Sequence, residues 1–213
     1  MNTRSLITVA ALSLLAVGCS KRGEIDPTGG ITAVRTACPS VGVPAATGDI
    51  TLFNSPTDRT AGAIDVAAII TNVRSECNDT VDPIYTSITF DVLARRTNTA
   101  AARDVTLPYF SVVVQGGTIV TAKRVGHVTV HFAAGQERAQ VSATAAALVD
   151  SSVATLPKDI RDQIVKPRKA GREEAAVDPL ANPAVRQAVL RASFEALVGF
   201  QLTDDQLKYN ATR

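Results

Sequence analysis

The chain has 213 residues and a formal net charge of +2, and 46% of its residues are hydrophobic. That hydrophobic fraction is enough to build a packed core, so the chain as a whole is not intrinsically disordered. The charge is too small for the basic field of a nucleic-acid-binding protein, and an aromatic content of 4% supplies few stacking platforms for bases or sugars. We expect one domain of ordinary size with appendages, and no nucleic-acid partner.

The first 18 residues have the pattern of an export signal. Arg4 precedes an apolar run from Leu6 to Val17. This run is shorter than the roughly 20 residues that cross a bilayer core. A basic start, a short apolar run and small residues at its end are typical of a cleaved signal peptide. Residues 1–18 are therefore predicted to be a signal peptide and to contribute nothing to the core.

The residues at the end of this run, Ala16, Val17, Gly18 and Cys19, resemble the lipobox of bacterial lipoproteins. Ala16 stands where that family usually has leucine. The resemblance implies a diacylglyceryl group on the Cys19 thiol, cleavage before Cys19, and acylation of the new amine, for example with palmitate. Two or more acyl chains hold a protein stably on a membrane. Ser20, rather than Asp, implies sorting to the outer membrane. The alternative is an ordinary secretory signal with an incidental cysteine.

Residues 19–30 are polar and contain Gly and Pro, which predicts a tether between the lipid and the domain. Cys38 and Cys77 are the remaining cysteines, and an even pair in an oxidising compartment predicts a disulfide. Such a bridge closes a loop of roughly 40 residues and stabilises the fold by about 3–4 kcal/mol in the chain-entropy model. The alternatives are two free buried thiols or a metal pair, and no neighbouring Cys or His supports the metal pair.

Residues 31–150 are predicted to form a β-sandwich domain. A short first strand is expected at residues 31–35, and residues 38–47 have the composition of a loop. Six stronger candidates alternate apolar and polar residues with period two, and span residues 49–54, 61–73, 84–96, 105–115, 118–132 and 139–149. The second of these six has apolar residues on both faces, which predicts burial on both sides or a bulge.

Glycine and proline mark the connections of these strands. Gly116 and Gly117 lie between two β-branched runs and predict a hairpin, because both tolerate a positive φ. Pro108 lacks a backbone N–H and predicts an edge position or the start of a strand. Gly126 is expected to mark a bulge in the returning strand.

These strands, with no helices between them, predict a mainly β fold. The specific expectation is an antiparallel immunoglobulin-like β-sandwich of about seven strands with a C-terminal α-helical appendage. A β-barrel is the alternative. The pattern is similar to immunoglobulin-like and fibronectin-like domains in its general arrangement, without the Trp that those families often carry.

Residues 151–181 are predicted to form a short helix, at 159–165, and a charged linker. Residues 182–213 are predicted to be a helical segment. Asn182 and Pro183 have the properties of an N-cap and a first helical residue.

That helix is expected to run to about Val198 and to end at Gly199. Residues 203–206 have the pattern of a capping box that begins a short last helix. The apolar stripe of this segment is expected either to dock on the sandwich or to bind a partner.

The sequence contains no motif that predicts a catalytic, cofactor or metal site. His127 and His131 are the only histidines. On a strand their rings are separated by roughly 13 Å, which is too far for one metal ion. The charged residues Asp91, Arg95, Arg96, Arg103 and Asp104 are expected on solvated faces or in cross-strand pairs. We therefore predict that the protein is not an enzyme.

Together these observations favour an outer-membrane lipoprotein that faces the periplasm. Cys19 provides its membrane attachment, and the sandwich is a non-enzymatic binding or assembly module with an envelope protein as partner. The alternative is an envelope ligand-binding or peptidoglycan-acting protein with an unrecognised site. A third hypothesis is a structural tether to the cell wall.

Overall fold

The structure, a computed structural model, describes residues 36–165 and 178–212. The described strands are β1 (Ser40–Gly42), β2 (Asp49–Phe53), β3 (Ile64–Asn78), β4 (Ile84–Arg96), β5 (Arg103–Gln115), β6 (Ile119–Phe132), β7 (Arg138–Val149) and β8 (Phe194–Phe200). The described α-helices are α1 (Ser151–Ala154), α2 (Lys158–Val165), α3 (Pro183–Arg191) and α4 (Asp204–Thr212). The predicted signal peptide, tether, first strand at 31–35 and most of the charged linker lie outside the described residues.

The strands form two four-stranded sheets with the orders β1-β8-β5-β6 and β2-β3-β4-β7. The pairs within them are antiparallel except β1–β8. The predicted fold class, a mainly β sandwich with C-terminal helices, is confirmed. The prediction that residues 38–47 form a loop is wrong at β1, which is a strand within that segment.

The core lies between the sheets, where alternate residues of the strands point inward. The most deeply buried apolar side chains, at most 1% exposed, include Val66, Ile84, Ile88, Phe90, Val92, Leu107, Val130, Phe132, Val198 and Phe200. Each such side chain contributes about 1.5–3 kcal/mol to burial free energy. Cys38 and Cys77 join the segment before β1 to the end of β3, with the sulfurs 1.96 Å apart, as the disulfide prediction requires.

The long strand β3 contains the bulge that the sequence suggested. The register with β4 shifts between Thr71 and Arg74, and Asn72 adopts a φ of 52°. Burial on both faces is not found, because Ile69 is 49% exposed while Ile70 is buried. β3 therefore presents one apolar face to the core and part of another to the surface.

The predicted hairpin is present, with Gly116 and Gly117 at positive φ between β5 and β6. The bulge assigned to Gly126 is wrong: the register shifts at Val113/Val114, and Gly126 pairs with Tyr109. A Cβ at Gly126 would lie 2.6 Å from the Tyr109 ring, so close packing of that ring explains the glycine.

Pro108 lies within β5, which is an interior strand of its sheet. Its carbonyl accepts from Gln201 N–H on the side of β8, and β8 pairing stops at Tyr109. In an antiparallel strand the N–H and C=O of one residue point to the same side. The N–H that Pro108 lacks would therefore point to the side of β8, where β8 has already ended and no ladder hydrogen bond is lost. The proline is therefore at a local edge of an interior strand.

The predicted helix from residue 182 to 198 is wrong in its second half. Asn182 caps α3 by accepting from Ala184 N–H, as predicted, but α3 ends at Arg191. Residues 194–200 form β8, between β1 and β5. The alternation of Phe194, Ala196, Val198 and Phe200 places all four on the core side, which decides in favour of a strand. Gly199 does not end a helix: a Cβ there would overlap Thr47 and Phe110.

The last helix, α4, docks on the sandwich. Its predicted capping box is present: Thr203 N–H donates to Gln206 Oε1 at 2.9 Å and Gln206 N–H donates to Thr203 Oγ1 at 3.3 Å. The Tyr209 ring packs edge-on against Phe53, with centroids 5.2 Å apart. Asn210 Nδ2 donates to the carbonyls of Ala46 and Asp49. The alternative of a helix kept free for a partner is therefore wrong.

Candidate binding groove

A groove of about 700 Å³ crosses the outer face of the β2-β3-β4-β7 sheet. The strand register shows how it is built. One row across the sheet consists of Asp49, Ile69, Leu93 and Gln140, and the next consists of Thr51, Ala67, Arg95 and Arg138. Both rows line the groove, which we call the sheet groove.

The sheet groove has an apolar floor because β3 and β4 carry apolar residues on their outward positions. Ile69 and Leu93 are paired across the two strands and are 49% and 40% exposed. Ala67, also outward and exposed, separates Thr51 from Arg95, and its small side chain leaves the depression. An exposed apolar surface rimmed by polar groups is typical of a binding site.

The two ends of the sheet groove differ in charge. At the β7 end, Arg95 forms an ion pair with Glu137, and Arg138 is exposed. Within the described part of the chain, Arg138 has no ion pair. At the β2 end lies Asp49, whose backbone carbonyl accepts from Asn210. The groove therefore offers the exposed guanidinium of Arg138 to an anionic group at its β7 end.

A polar cluster adjoins the sheet groove on the same outer face. Asp91 Oδ1 accepts from Ser142 Oγ at 2.6 Å, and Asp91 Oδ2 accepts from Asn72 Nδ2 at 2.8 Å. These hydrogen bonds, with Ser142 contributing most, lower the pKa of Asp91 below its ordinary value of 3.8. The bulge at Asn72 is what turns that side chain toward Asp91, so the backbone irregularity holds the carboxylate in place.

The cluster predicts a pH dependence of stability. Because the pKa of Asp91 is lower in the folded than in the unfolded chain, its stabilising contribution is present above the unfolded pKa and is lost as pH falls through the folded pKa. We expect Asp91→Asn to be less stable than the wild type at neutral pH, and the difference to shrink in acid. Urea unfolding of the wild type and of Asp91→Asn from neutral to acid pH measures this difference in the free energy of unfolding. A difference that does not change with pH would contradict the role of the ionised carboxylate.

The remaining predicted residues lie away from the groove. His127 and His131 are exposed on β6, as the strand prediction requires, and His131 Nδ1 lies 2.5 Å from Asp104 Oδ1. The residues that the structure describes contain no group of three or more His, Cys, Asp or Glu suited to a metal ion. Cys19 lies outside the described residues.

Four of the five charged residues lie on solvated faces or in pairs between strands, as expected. Asp91 is held by Ser142 on β7 and Asn72 on β3, and Asp104 lies opposite His131 on β6. Arg103 pairs with Asp65 on β3 through two hydrogen bonds, of 2.8 and 2.6 Å. These partners come from strands distant in sequence, so the sequence does not identify them.

Arg96 is the main residue that sequence reasoning placed wrongly. It is 1% exposed, not on a solvated face. Its guanidinium donates to the carbonyls of Gln136 at 2.9 Å, Ala101 at 2.7 Å, Ala133 at 2.8 Å and Thr99 at 3.4 Å. It also lies 5.1 Å from the centroid of the Phe132 ring. Arg96 thus joins the β4–β5 and β6–β7 connections at the end of the sandwich.

The fold defines this chain as a β-sandwich domain, and one of its sheets has an open groove on its outer face. Among the described residues, no helix is long and apolar enough to cross a membrane. The chain matches no protein-family model, no curated protein sequence and no solved structure.

Proposed function

We propose that this protein is a lipoprotein of the outer membrane, attached through Cys19 and facing the periplasm, whose sandwich acts as a non-enzymatic binding module for an envelope protein. The observation that carries the binding role is the sheet groove: an apolar floor of Ile69, Leu93 and Ala67 rimmed by polar and charged side chains. The proposed location in the outer membrane rests on the lipobox-like residues that end at Cys19. A disulfide between Cys38 and Cys77 is consistent with an oxidising compartment.

The groove indicates the chemistry of the partner segment. Apolar side chains fit the floor, because burying Ile69 and Leu93 removes apolar surface from water. An acidic group opposite Arg138 completes the contact at the β7 end, since a charge on the rim steers and orients a partner. The partner segment is therefore expected to be apolar with an acidic residue at one end.

The membrane attachment makes its own prediction. Cys19→Ser removes the thiol that receives the diacylglyceryl group, and we expect the protein to move from the membrane to the soluble fraction. Fractionation of cells that express either form measures this. A Ser20→Ala variant keeps Cys19 and is the matched control. Unchanged membrane retention of Cys19→Ser would contradict the lipid anchor.

The binding role predicts that filling the sheet groove abolishes association. Ala67→Arg places a long charged side chain on the floor at an exposed position, so the fold is retained. We expect the envelope partner that crosslinks to the wild type to be lost. Thr89→Arg, exposed on β4 outside the groove, is the control. Equal crosslinking by both variants would show that the partner binds elsewhere.

The size of the groove favours a second candidate function, the binding of a small envelope ligand. About 700 Å³ lies within the range of about 300–1,000 Å³ typical of small-molecule sites. An anionic ligand with an apolar body, such as a peptidoglycan fragment or a lipid, would place its charge on Arg138. A ligand-induced rise in melting temperature that Ala67→Arg removes would favour this function over a protein partner.

A further inference from the structure

In the described part of the chain the two sheets have four edge strands, and three of them are protected against pairing with another chain. β1 is only three residues long. The helix α4 packs against β2, through the contact of the Tyr209 and Phe53 rings and a hydrogen bond from Asn210. β6 carries the exposed cations Lys123 and Arg124 and a register shift against β5. Short length, a covering helix, cations and bulges are the usual devices that block an edge strand.

The fourth edge strand, β7, has none of these protecting features. It is twelve residues long and pairs with β4 from Arg138 to Val149 without a register shift. Residues 139–149 contain no charged residue, no proline and no glycine, and most of their side chains are small. A long, regular and uncharged edge strand is a template for pairing with a strand of another chain.

The backbone of β7 presents hydrogen-bonding groups along this open edge. Arg96 N–H donates to the Glu137 carbonyl, so the odd-numbered residues of β7 form the ladder with β4. The N–H and C=O groups of the even-numbered residues within 140–148 therefore point to the open side. Tyr109 Oη donates to the Thr144 carbonyl at 3.1 Å, which agrees with this direction. That carbonyl oxygen has a second lone pair and can still accept from a neighbouring strand.

The two ends of β7 carry opposite charges. Arg138 begins the strand, is exposed, and has no ion pair among the described residues. Asp150 directly follows the strand and is exposed, and hydrogen bonds from the Ser152 hydroxyl and N–H lower its pKa below 3.8, so it is ionised at neutral pH. Asp82 lies at the same end, where it accepts from Ser151 N–H. An antiparallel strand of the same sequence therefore brings opposite charges together at both ends.

We propose that two copies of this chain associate by antiparallel pairing of their β7 strands about a twofold axis at Thr144. This register overlaps the whole strand and places Arg138 of each copy directly opposite Asp150 of the other, because both lie equally far from Thr144. On the core side it places Val141 opposite Ala147, so apolar side chains meet there. Registers centred two residues earlier or later lose both ion pairs.

The pairing goes beyond the proposed function and does not depend on it. It joins the two β2-β3-β4-β7 sheets edge to edge and leaves the floor of each sheet groove open on the same outer face. The Arg138 guanidinium has five N–H donors, so an ion pair with Asp150 of the second copy leaves donors for an acidic group in the groove. A dimer with two grooves on one face binds a repeated partner more tightly than one copy does.

The test is disulfide crosslinking of the purified full-length chain in mild detergent, with copper phenanthroline as the oxidant. Thr144→Cys places a thiol at the twofold axis, where the Cα atoms of the two copies are about 5.5 Å apart, within the range of a disulfide. Thr89→Cys, exposed on β4 opposite Thr144, is the matched control, because three strand spacings separate its two copies by about 14 Å. The wild type reports crosslinking by the native cysteines.

We expect Thr144→Cys to give about tenfold more covalent dimer on a non-reducing gel than Thr89→Cys. The register has its own test. Gln140→Cys and Leu148→Cys should crosslink when the two variants are mixed, and neither should crosslink alone, because the proposed pairing places Gln140 of one copy opposite Leu148 of the other.

Charge reversal tests the ion pairs at the two ends. In the Thr144→Cys background, Arg138→Glu places two acidic groups opposite each other at both ends, and we expect about tenfold less covalent dimer. Asp150→Arg should have the same effect. The two substitutions together should restore the yield, which a simple loss of folding does not allow.

Three results would overturn the proposal: equal yields from positions 144 and 89, an unchanged yield with Arg138→Glu, or no restoration in a combined variant that is folded by circular dichroism. Absence of covalent dimer from every position also overturns it and leaves the β7 edge to a strand of another protein. None of these results affects the proposed binding role of the sheet groove, because the assay contains no envelope partner.

Discussion

Replacement of Arg96 by methionine is expected to lower the free energy of unfolding by about 3–5 kcal/mol, a large part of the stability of an ordinary domain. Methionine fills most of the volume of the Arg96 side chain but donates no hydrogen bond. The carbonyls of Ala101, Ala133 and Gln136 would then lose the donor that satisfies them. Urea unfolding should show a lower midpoint with an unchanged m-value.

Arg95→Met is the matched control for this prediction. Arg95 precedes Arg96 on β4 but points outward, where it forms a surface ion pair with Glu137. Exposed ion pairs contribute about 0–1 kcal/mol, so this variant should unfold nearly like the wild type. Arg96→Lys, which keeps three donors, should recover part of the loss. Equal losses for Arg95→Met and Arg96→Met would contradict the structural role of the buried guanidinium.

Val198→Asp is expected to lower the free energy of unfolding by about 4 kcal/mol or more, because it buries a carboxylate in the core of the sandwich. Val198 is 0% exposed and pairs with Ser111 in the middle of β8. Since β8 lies between β1 and β5, the defect affects both neighbours. We expect loss of cooperative unfolding in urea and loss of the protein from the folded fraction on gel filtration.

Leu197→Asp introduces the same side chain one residue earlier, on the outer face of β8. Leu197 is half-buried, and Glu195 already places a carboxylate on that face. The outer-face variant should therefore lose much less stability than Val198→Asp. If both variants are equally tolerated, residues 194–200 are not an interior strand of the sandwich.

The outcome at β8 explains which parts of the fold the sequence predicts. Strands with a clear period of two, such as β4 and β7, were found close to their predicted bounds. In residues 194–200, Phe194 and Val198 satisfy both a helical stripe and a strand alternation, and a capped helix comes directly before them. The long-range pairing with β1 and β5 decides between the two periods, and local pattern does not contain that information.

A similar limit applies to Arg96 and to the sheet groove. The inward positions of β4, Ile88, Phe90, Val92 and Ala94, continue to Arg96, a signal that the expectation of a solvated arginine did not use. What the pattern does not supply is the set of carbonyls that accept from it, which come from connections near residues 99–101 and 133–136. The sheet groove likewise depends on the register of four strands, which brings Ala67 beside Arg95 and Arg138.

The most direct test of the proposed function is crosslinking from the sheet groove in intact cells. A photoreactive amino acid at position 67 is compared with one at position 89, on the same sheet face outside the groove, and the adducts are identified by mass spectrometry. We expect a discrete envelope protein to be captured from position 67 and not from position 89. Identical adducts from both positions, or none from position 67, would contradict the assignment of the groove as the binding site for an envelope protein.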